Sequence, residues 1–304
     1  MESQEPETIP TKAEMEYMRL KLWKNDDIRE LYDRMTETYV SKAIDRKKQH
    51  QITLVADYIE EARESFKNWG KMQGLSSGYQ SVDRLTKGFV GGEVTVVGAR
   101  TSVGKTTFAL NIANNIALTG GSVLFVTMEM TPREVTSRLM SLNGGESNDF
   151  YKVSALISYQ AVNNLDWQSI DGLIAEAKRE LDVKFVVIDH LHYFSRETRN
   201  PYEEIGNITK EFKRAAVNHD VPIMLISHTR KMNDNNKQAY TDDLRGSSYI
   251  GQDADMVLML GRDNDDKTKM GVRILKNRNR GFDYENDSCD LTYDGIKLIE
   301  SWFV

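Results

Sequence analysis

Apolar residues fall in two rhythms along this chain, and the change from one to the other marks out its elements. From Met15 to Trp69 the spacing is helical and the positions between are strongly charged. The clearest piece is a stripe of Ile52, Val55, Ala56, Ile59, Ala62, Phe66 and Trp69, which one face of a helix would gather. That face docks either on the chain's own core or on a neighbouring copy. Residues 1–14, ahead of it, are acidic and aperiodic and read as a disordered tail. Gly70, Gly74, Gly78, Gly88, Gly91 and Gly92 then give a marked loop signal. The helical segment is accordingly bounded at 15–73, and a second domain is expected over 74–304.

In that domain short apolar runs alternate with helical patterns. Strands are expected at Val94–Val97, Val123–Met128, Phe185–Ile188, Pro222–Ile226, Met256–Leu260 and Val272–Lys276. Helices are expected from just past Lys105 to Leu118, from Pro132, over Ser169–Leu181 and over Glu203–His219. Thr131-Pro-Arg-Glu134 reads as a capping box with proline in the first turn. Leu291 to Leu298 reads as a hairpin, with Asp294-Gly295 suited to a tight turn. Residues 144–165 show no usable pattern. Apolar strands separated by helices mean an α/β domain, a mainly parallel sheet flanked by helices.

Composition narrows the setting. No apolar run approaches the length of a membrane span, so no membrane partner is expected. The opening Met1-Glu-Ser-Gln-Glu-Pro-Glu7 is acidic, unlike a secretory signal or a transit peptide. Cys289 is the only cysteine, which excludes an intrachain disulfide or a cysteine zinc cluster and points to a reducing compartment, the cytoplasm. A net charge of −6 excludes a surface coated in basic groups but leaves room for a narrow basic track.

The chemistry gathers where the first strand ends. Ala99-Arg100-Thr101-Ser102-Val103-Gly104-Lys105-Thr106-Thr107 lies between a β-branched run and a helix. It is a phosphate-binding loop with alanine at its first fixed position. A bend there turns successive backbone N–H groups inward, and the helix adds its positive N-terminal end. Gly104 admits close backbone approach, Lys105 reaches the outer phosphates, and Thr106 offers a hydroxyl to Mg²⁺. Phe185-Val-Val-Ile188-Asp189 ends in a carboxylate suited to holding that ion. Val123 to Glu129 ends likewise, and Glu129 is a candidate base for polarising an attacking water. Ile226-Ser227-His228 ends a third strand, where a side chain can sense the terminal phosphate. His190 and His192 flank Asp189, yet no cysteine or third histidine lies close in sequence, so zinc is not expected. Lys276-Asn-Arg278-Asn-Arg280 is either a solvated face or a source of cationic fingers for a neighbour's phosphate. Residues 231–248 form a long polar loop, of the kind that is disordered or functional.

From Gly74 onward the chain resembles the ATPase domain of the DnaB family of ring-shaped replicative helicases, with features of the related phage and mitochondrial Twinkle-like rings. The likeness rests on Gly78-Tyr-Gln-Ser-Val-Asp83, the loop at 99–107, Met128-Glu129-Met130 and Ile188-Asp189-His-Leu-His192. Asp243-Leu-Arg-Gly-Ser-Ser-Tyr-Ile-Gly-Gln252-Asp-Ala-Asp255 and Lys276-Asn-Arg278 complete it. The resemblance implies a RecA-like P-loop ATPase core that binds ATP and Mg²⁺ through Lys105, Thr106 and Asp189. Glu129 would be the catalytic base, and Arg138 would approach the phosphates of its own subunit. Lys276 and Arg278 would act on a neighbour's phosphates, and Arg245, Gly246 and Ser248 would hold single-stranded DNA in a central pore. A hexamer moving 5′ to 3′ is implied, with a helicase loader or primase as further partners, in a bacterial cytoplasm or as a phage protein within it. His192 and His228 depart from the glutamine usual in DnaB proteins, and His228-Thr-Arg-Lys231 resembles the Twinkle-like branch. The family's globular N-terminal domain has no counterpart in the seventy or so residues before the ATPase. A regulatory or DNA-binding ATPase of the RecA-like class, without unwinding activity, stays open as the alternative.

Overall fold

The computed structural model describes residues 63, 71–127, 129–145, 170–195, 201–228, 253–263, 265–278 and 287–301. The chain divides into two compact units, Met1–Phe66 and Lys67–Val304. The expected tail, the apolar stripe at 52–69 and the pore residues Arg245, Gly246 and Ser248 lie outside the described residues. The sheet and its helices belong to the second unit.

Its strands are β1 (Val94–Ala99), β2 (Ser122–Thr127), β3 (Val183–Asp189), β4 (Ile223–His228), β5 (Met256–Arg262), β6 (Lys269–Asn277), β7 (Ser288–Tyr293) and β8 (Leu298–Glu300). Its helices are α1 (Gln80–Thr86), α2 (Lys105–Leu118), α3 (Pro132–Leu142), α4 (Ile170–Leu181) and α5 (Pro201–His219), with a 3₁₀ turn at Leu191–Ser195. The strands form one sheet in the order β2-β3-β4-β1-β5-β6-β7-β8. The five strands from β2 to β5 run parallel, while β6, β7 and β8 add on in antiparallel fashion.

Burial explains the two halves. Every residue of β1 is buried, because helices cover both of its faces and a continuous apolar run satisfies both. On one face Val97, Phe125, Val187 and Ile226 pack against Phe108, Ile112 and Leu139 of α2 and α3. On the other, Val96, Leu124, Val186 and Leu225 meet Ile174, Ile208 and Phe212 of α4 and α5. Strand β6 instead alternates buried and half-exposed positions, as a strand with one wet face does.

Local chemistry sets the ends. The capping box forms as expected: the Glu134 amide donates to Thr131 Oγ1, and the Thr131 amide donates to the Glu134 carboxylate at 2.7 Å. Donation from the Thr131 amide and from the Thr131 hydroxyl holds the exposed Glu134 carboxyl below its ordinary range. In the β7–β8 hairpin the turn centres on Gly295 and Ile296, one residue later than Asp294-Gly295 suggests. The Asp294 side chain accepts from the amides of Ile296 and Lys297, and Gly295 takes the positive φ of 101°. Strand β1 also runs on through Gly98 and Ala99, because Ser227 and His228 continue the ladder beside it.

Candidate active site

Four parallel strands finish at the same edge of the sheet, and their ends carry the candidate chemistry. Register places Ala99 beside His228 and Thr127 beside Asp189. The loop after β1 bends through Ser102 and Gly104, at φ 68° and 113°. Gly104 has two reasons to be glycine: its φ lies in the left-handed region, and a Cβ there would meet the Met270 methyl at 2.8 Å. Arg262 donates from Nε to the Val103 carbonyl at 2.9 Å and so holds the loop from the antiparallel half of the sheet.

Lys105 opens α2 and is only 6% exposed. Its ammonium donates to the carbonyls of Ala99 and Arg100, both at 3.1 Å. Burial lowers its pKa, against the pull of the Asp189 and Glu129 carboxylates. Thr106 Oγ1 donates to Asp189 Oδ2 at 2.7 Å, although strand β4 lies between β1 and β3 in the sheet. Asp189 is 1% exposed, and burial pushes its pKa up to about 6. The neighbouring Glu129 charge adds to that rise, while the Thr106 hydrogen bond and the Lys105 and Arg138 cations oppose it.

Glu129 stands two residues past β2 with its side chain in solvent, and its Oε1 lies 3.0 Å from His190 Nδ1. The His190 ring in turn meets the His228 ring edge-on, centroids 4.5 Å apart. Nothing in the sequence points to the His190 contact, although its place beside Asp189 is plain there. A cavity of about 480 Å³ opens along α2, lined among others by Thr107, Asn111, Arg138, Tyr293 and Ile296. Arg138 thus sits on the same side of the sheet as the loop. Tyr293 and Ile296 come from the hairpin read at 291–298, whose pattern does not show that it borders this cavity, and Arg262 stands at the end of β5, with no local signal for its contact to the loop.

Lys276 and Arg278 lie elsewhere. Strand β6 runs against β5, so its last residues face the start of β5, with Lys276 paired to Val257. The Arg278 amide donates to the Asp255 carbonyl at 2.8 Å, and Lys276 Nζ donates to the Ala254 carbonyl at 2.6 Å. Asp255 in turn accepts from the Val94 amide at 2.9 Å and from Lys213 at 2.8 Å, and Arg278 Nη1 comes within 3.8 Å of it. Both cations therefore sit beside the first residues of β1, whereas the loop follows its last. At about 3.3 Å per residue, roughly 15 Å of strand separates them from the loop. Lys276 and Arg278 do not join the cluster around Lys105.

The donor types fit an Mg²⁺ ion. A hydroxyl and a buried carboxylate, both hard oxygens, are held together at the head of a helix, and such an ion prefers oxygen ligands. When bound, it would neutralise phosphate charge, and Thr106 and Asp189 could hold it. Asp189 ionises in the unfolded chain near its ordinary value of 3.8 but in the folded protein near 6. Its contribution to stability is therefore full below about pH 4 and is lost as pH rises through about 6. Asp189→Asn keeps an acceptor for Thr106 and removes the buried charge. The nucleotide-free variant is expected to be more stable at pH 8, by on the order of 1–3 kcal/mol, while losing Mg²⁺ affinity. Thermal unfolding of both proteins checks this; a lower melting temperature for the variant would contradict it. In the unmodified protein, half-saturating Mg²⁺ is expected to rise about tenfold per pH unit below about 6, since the proton competes for Asp189.

Comparison with known proteins identifies the family and the fold. Residues 74–293 match the family model of the DnaB-like helicase C terminal domain. A probable replicative DNA helicase of Trieres chinensis is 31% identical over 244 residues, covering 69% of this chain and 54% of its own length. The replicative DNA helicase DnaB of Geobacillus stearothermophilus is 28% identical over 241 residues, covering 69% and 53%. The chain thus spans about half the length of the curated relatives it matches. Among solved structures, one ATPase domain superposes with a TM-score of 0.67 at 21% identity, over 82% of this chain and 99% of that one. A DnaB-like replicative helicase described with its primase interactions gives 0.69 at 20% identity, over 91% and 78%. The RadB recombinase gives 0.55 at 20% identity, over 75% and 100%. These likenesses show a RecA-like ATPase fold.

Proposed function

Because this chain belongs to the DnaB-like helicase C-terminal domain family, we propose that it is an ATP-driven replicative DNA helicase, a hexameric ring that moves 5′ to 3′ on single-stranded DNA. The observation that carries the ATPase reading is the 2.7 Å contact between Thr106 and Asp189, with Lys105 and Glu129 at the same sheet edge. Lys105 and the loop amides of residues 100–107 bind the phosphates, and Thr106 and Asp189 hold Mg²⁺. Glu129 takes the proton of the attacking water, and its exposed carboxylate is free to meet that water. His228 senses the terminal phosphate from the end of β4, beside Ala99. Arg138 approaches the phosphates of its own subunit from the cavity beside α2, which has the volume for a nucleoside and an aromatic face in Tyr293.

Lys276 and Arg278 serve the neighbouring subunit. Their distance from their own loop supports this reading, since a charge that far away does nothing for a phosphate bound at Lys105. Arg245, Gly246 and Ser248 hold the DNA backbone in the pore. So few phosphate contacts are compatible with a chain of net charge −6. A primase or a helicase loader is a further partner, and the cytoplasm is the setting; no described helix is long and apolar enough to cross a membrane.

ATP turnover with single-stranded and with duplex DNA tests the reading. Single strands are expected to accelerate turnover severalfold and duplex to leave it unchanged. Turnover indifferent to DNA would favour a regulatory ATPase of the same fold.

A further inference from the structure

Three side chains of metal-binding type converge at the site edge. Glu129, His190 and His228 each offer one donor atom, and these atoms all lie within 4.8 Å of one another. Among the described residues this is the one such group of histidine, cysteine and acidic side chains. The donors come from the ends of β2, β3 and β4. The partners that sequence spacing does not supply to His190 are therefore Glu129 and His228, the latter nearly forty residues away in sequence.

The dimensions suit a small ion. Zinc sits about 2.0–2.2 Å from imidazole nitrogen and carboxylate oxygen, so two of its ligand atoms stand roughly 3.3 Å apart. Glu129 Oε1 and His190 Nδ1 are already 3.0 Å apart. Drawing the widest pair in from at most 4.8 Å to that spacing takes a movement of no more than about 1.5 Å, shared among the three side chains. His190 is 3% exposed and held edge-on against His228, so two of the three ligands are fixed beforehand while Glu129 leaves an open path for entry.

We propose that Glu129, His190 and His228 form a binding site for one transition-metal dication, Zn²⁺ foremost, separate from the Mg²⁺ position at Thr106 and Asp189. Ligand type keeps the two apart. Two nitrogens and one oxygen select Zn²⁺, Co²⁺ or Ni²⁺, whereas the hydroxyl and carboxylate next to Lys105 select Mg²⁺. Occupation has a consequence that rests on Glu129 being the base. A carboxylate coordinated to Zn²⁺ has its lone pair engaged and takes no proton from water, so Zn²⁺ arrests hydrolysis while ATP and Mg²⁺ stay bound.

Titration of the untagged full chain with Co²⁺ alone, followed by the visible absorption of the bound ion, tests the site. One Co²⁺ per chain is expected, displaced by equimolar Zn²⁺ and not by millimolar Mg²⁺. His190→Asn and His228→Asn should each weaken binding about tenfold or more. Far-UV circular dichroism with a cooperative thermal transition confirms that each variant is folded. His228 lies at a half-exposed strand end, so that variant keeps the test sound if the buried one fails to fold. No Co²⁺ binding, or affinity unchanged in the folded variants, overturns the proposal. Zinc that binds in this way yet leaves Mg²⁺-dependent ATP turnover intact upholds the metal site and removes Glu129 as the base.

Discussion

Lys105→Ala is expected to abolish ATP hydrolysis, lowering turnover about a thousandfold or more, and to weaken ATP binding as well. The lysine is buried, and its ammonium is held by two loop carbonyls at the point where the phosphates would lie. No other cation of the loop shares that position: Arg100 is exposed at the loop's start, and Arg262 is committed to the Val103 carbonyl. Alanine therefore leaves the loop with no cation at the phosphates, and only Mg²⁺, backbone amides and the charges that reach in from outside the loop remain. Glu129→Gln should separate the two effects. It keeps size and polarity but removes the base, so ATP is expected to bind with ordinary affinity and to persist unhydrolysed. Turnover and nucleotide affinity measured side by side give the result. Lys105→Ala with more than a tenth of normal turnover would sink the phosphate-loop assignment, and loss of ATP binding in Glu129→Gln would make that residue structural.

Two inactive proteins are expected to regain activity when mixed. Lys105→Ala spoils the subunit's own loop, and Arg278→Ala spoils what it lends to the next subunit. Arg278 is anchored at the far edge of the sheet by its amide bond to the Asp255 carbonyl, so it cannot serve its own loop. In a ring with head-to-tail interfaces, an equal mixture leaves about a quarter of the interfaces with both halves intact. Turnover should rise from near zero toward that fraction as the two are combined. No recovery at any ratio, with mixed rings verified by native mass, would mean that Arg278 acts within its own chain or not at all.

The parallel half of this fold is legible in the sequence because its signals are local. Apolar runs that end in Asp189 and Glu129, a loop between strand and helix, and a capping box at Thr131 each occupy a few consecutive residues. The antiparallel half is legible only in its pieces, the runs at 256–260 and 272–276 and the hairpin at 291–298. Arg262 on the loop carbonyl and Met270 against Gly104 depend on pairings between distant segments, and the hairpin pattern does not place Tyr293 in the cavity. Asp255 is similar: its sequence motif is recognisable, but its bonds to Val94 and Lys213 follow only from the sheet order. His190 is an intermediate case, since its position beside Asp189 is plain while its neighbours Glu129 and His228 arrive from two other strands.

The helicase reading stands or falls on strand separation. The 304-residue chain with ATP and Mg²⁺ should be given three DNA forks, carrying a 5′ single-stranded tail, a 3′ tail or both, and release of the displaced strand followed over time. Strand release is expected from forks with a 5′ tail, and none from the fork with only a 3′ tail or from Lys105→Ala. ATP hydrolysed in the presence of every fork without any strand released would contradict the helicase and leave a RecA-like ATPase with another task.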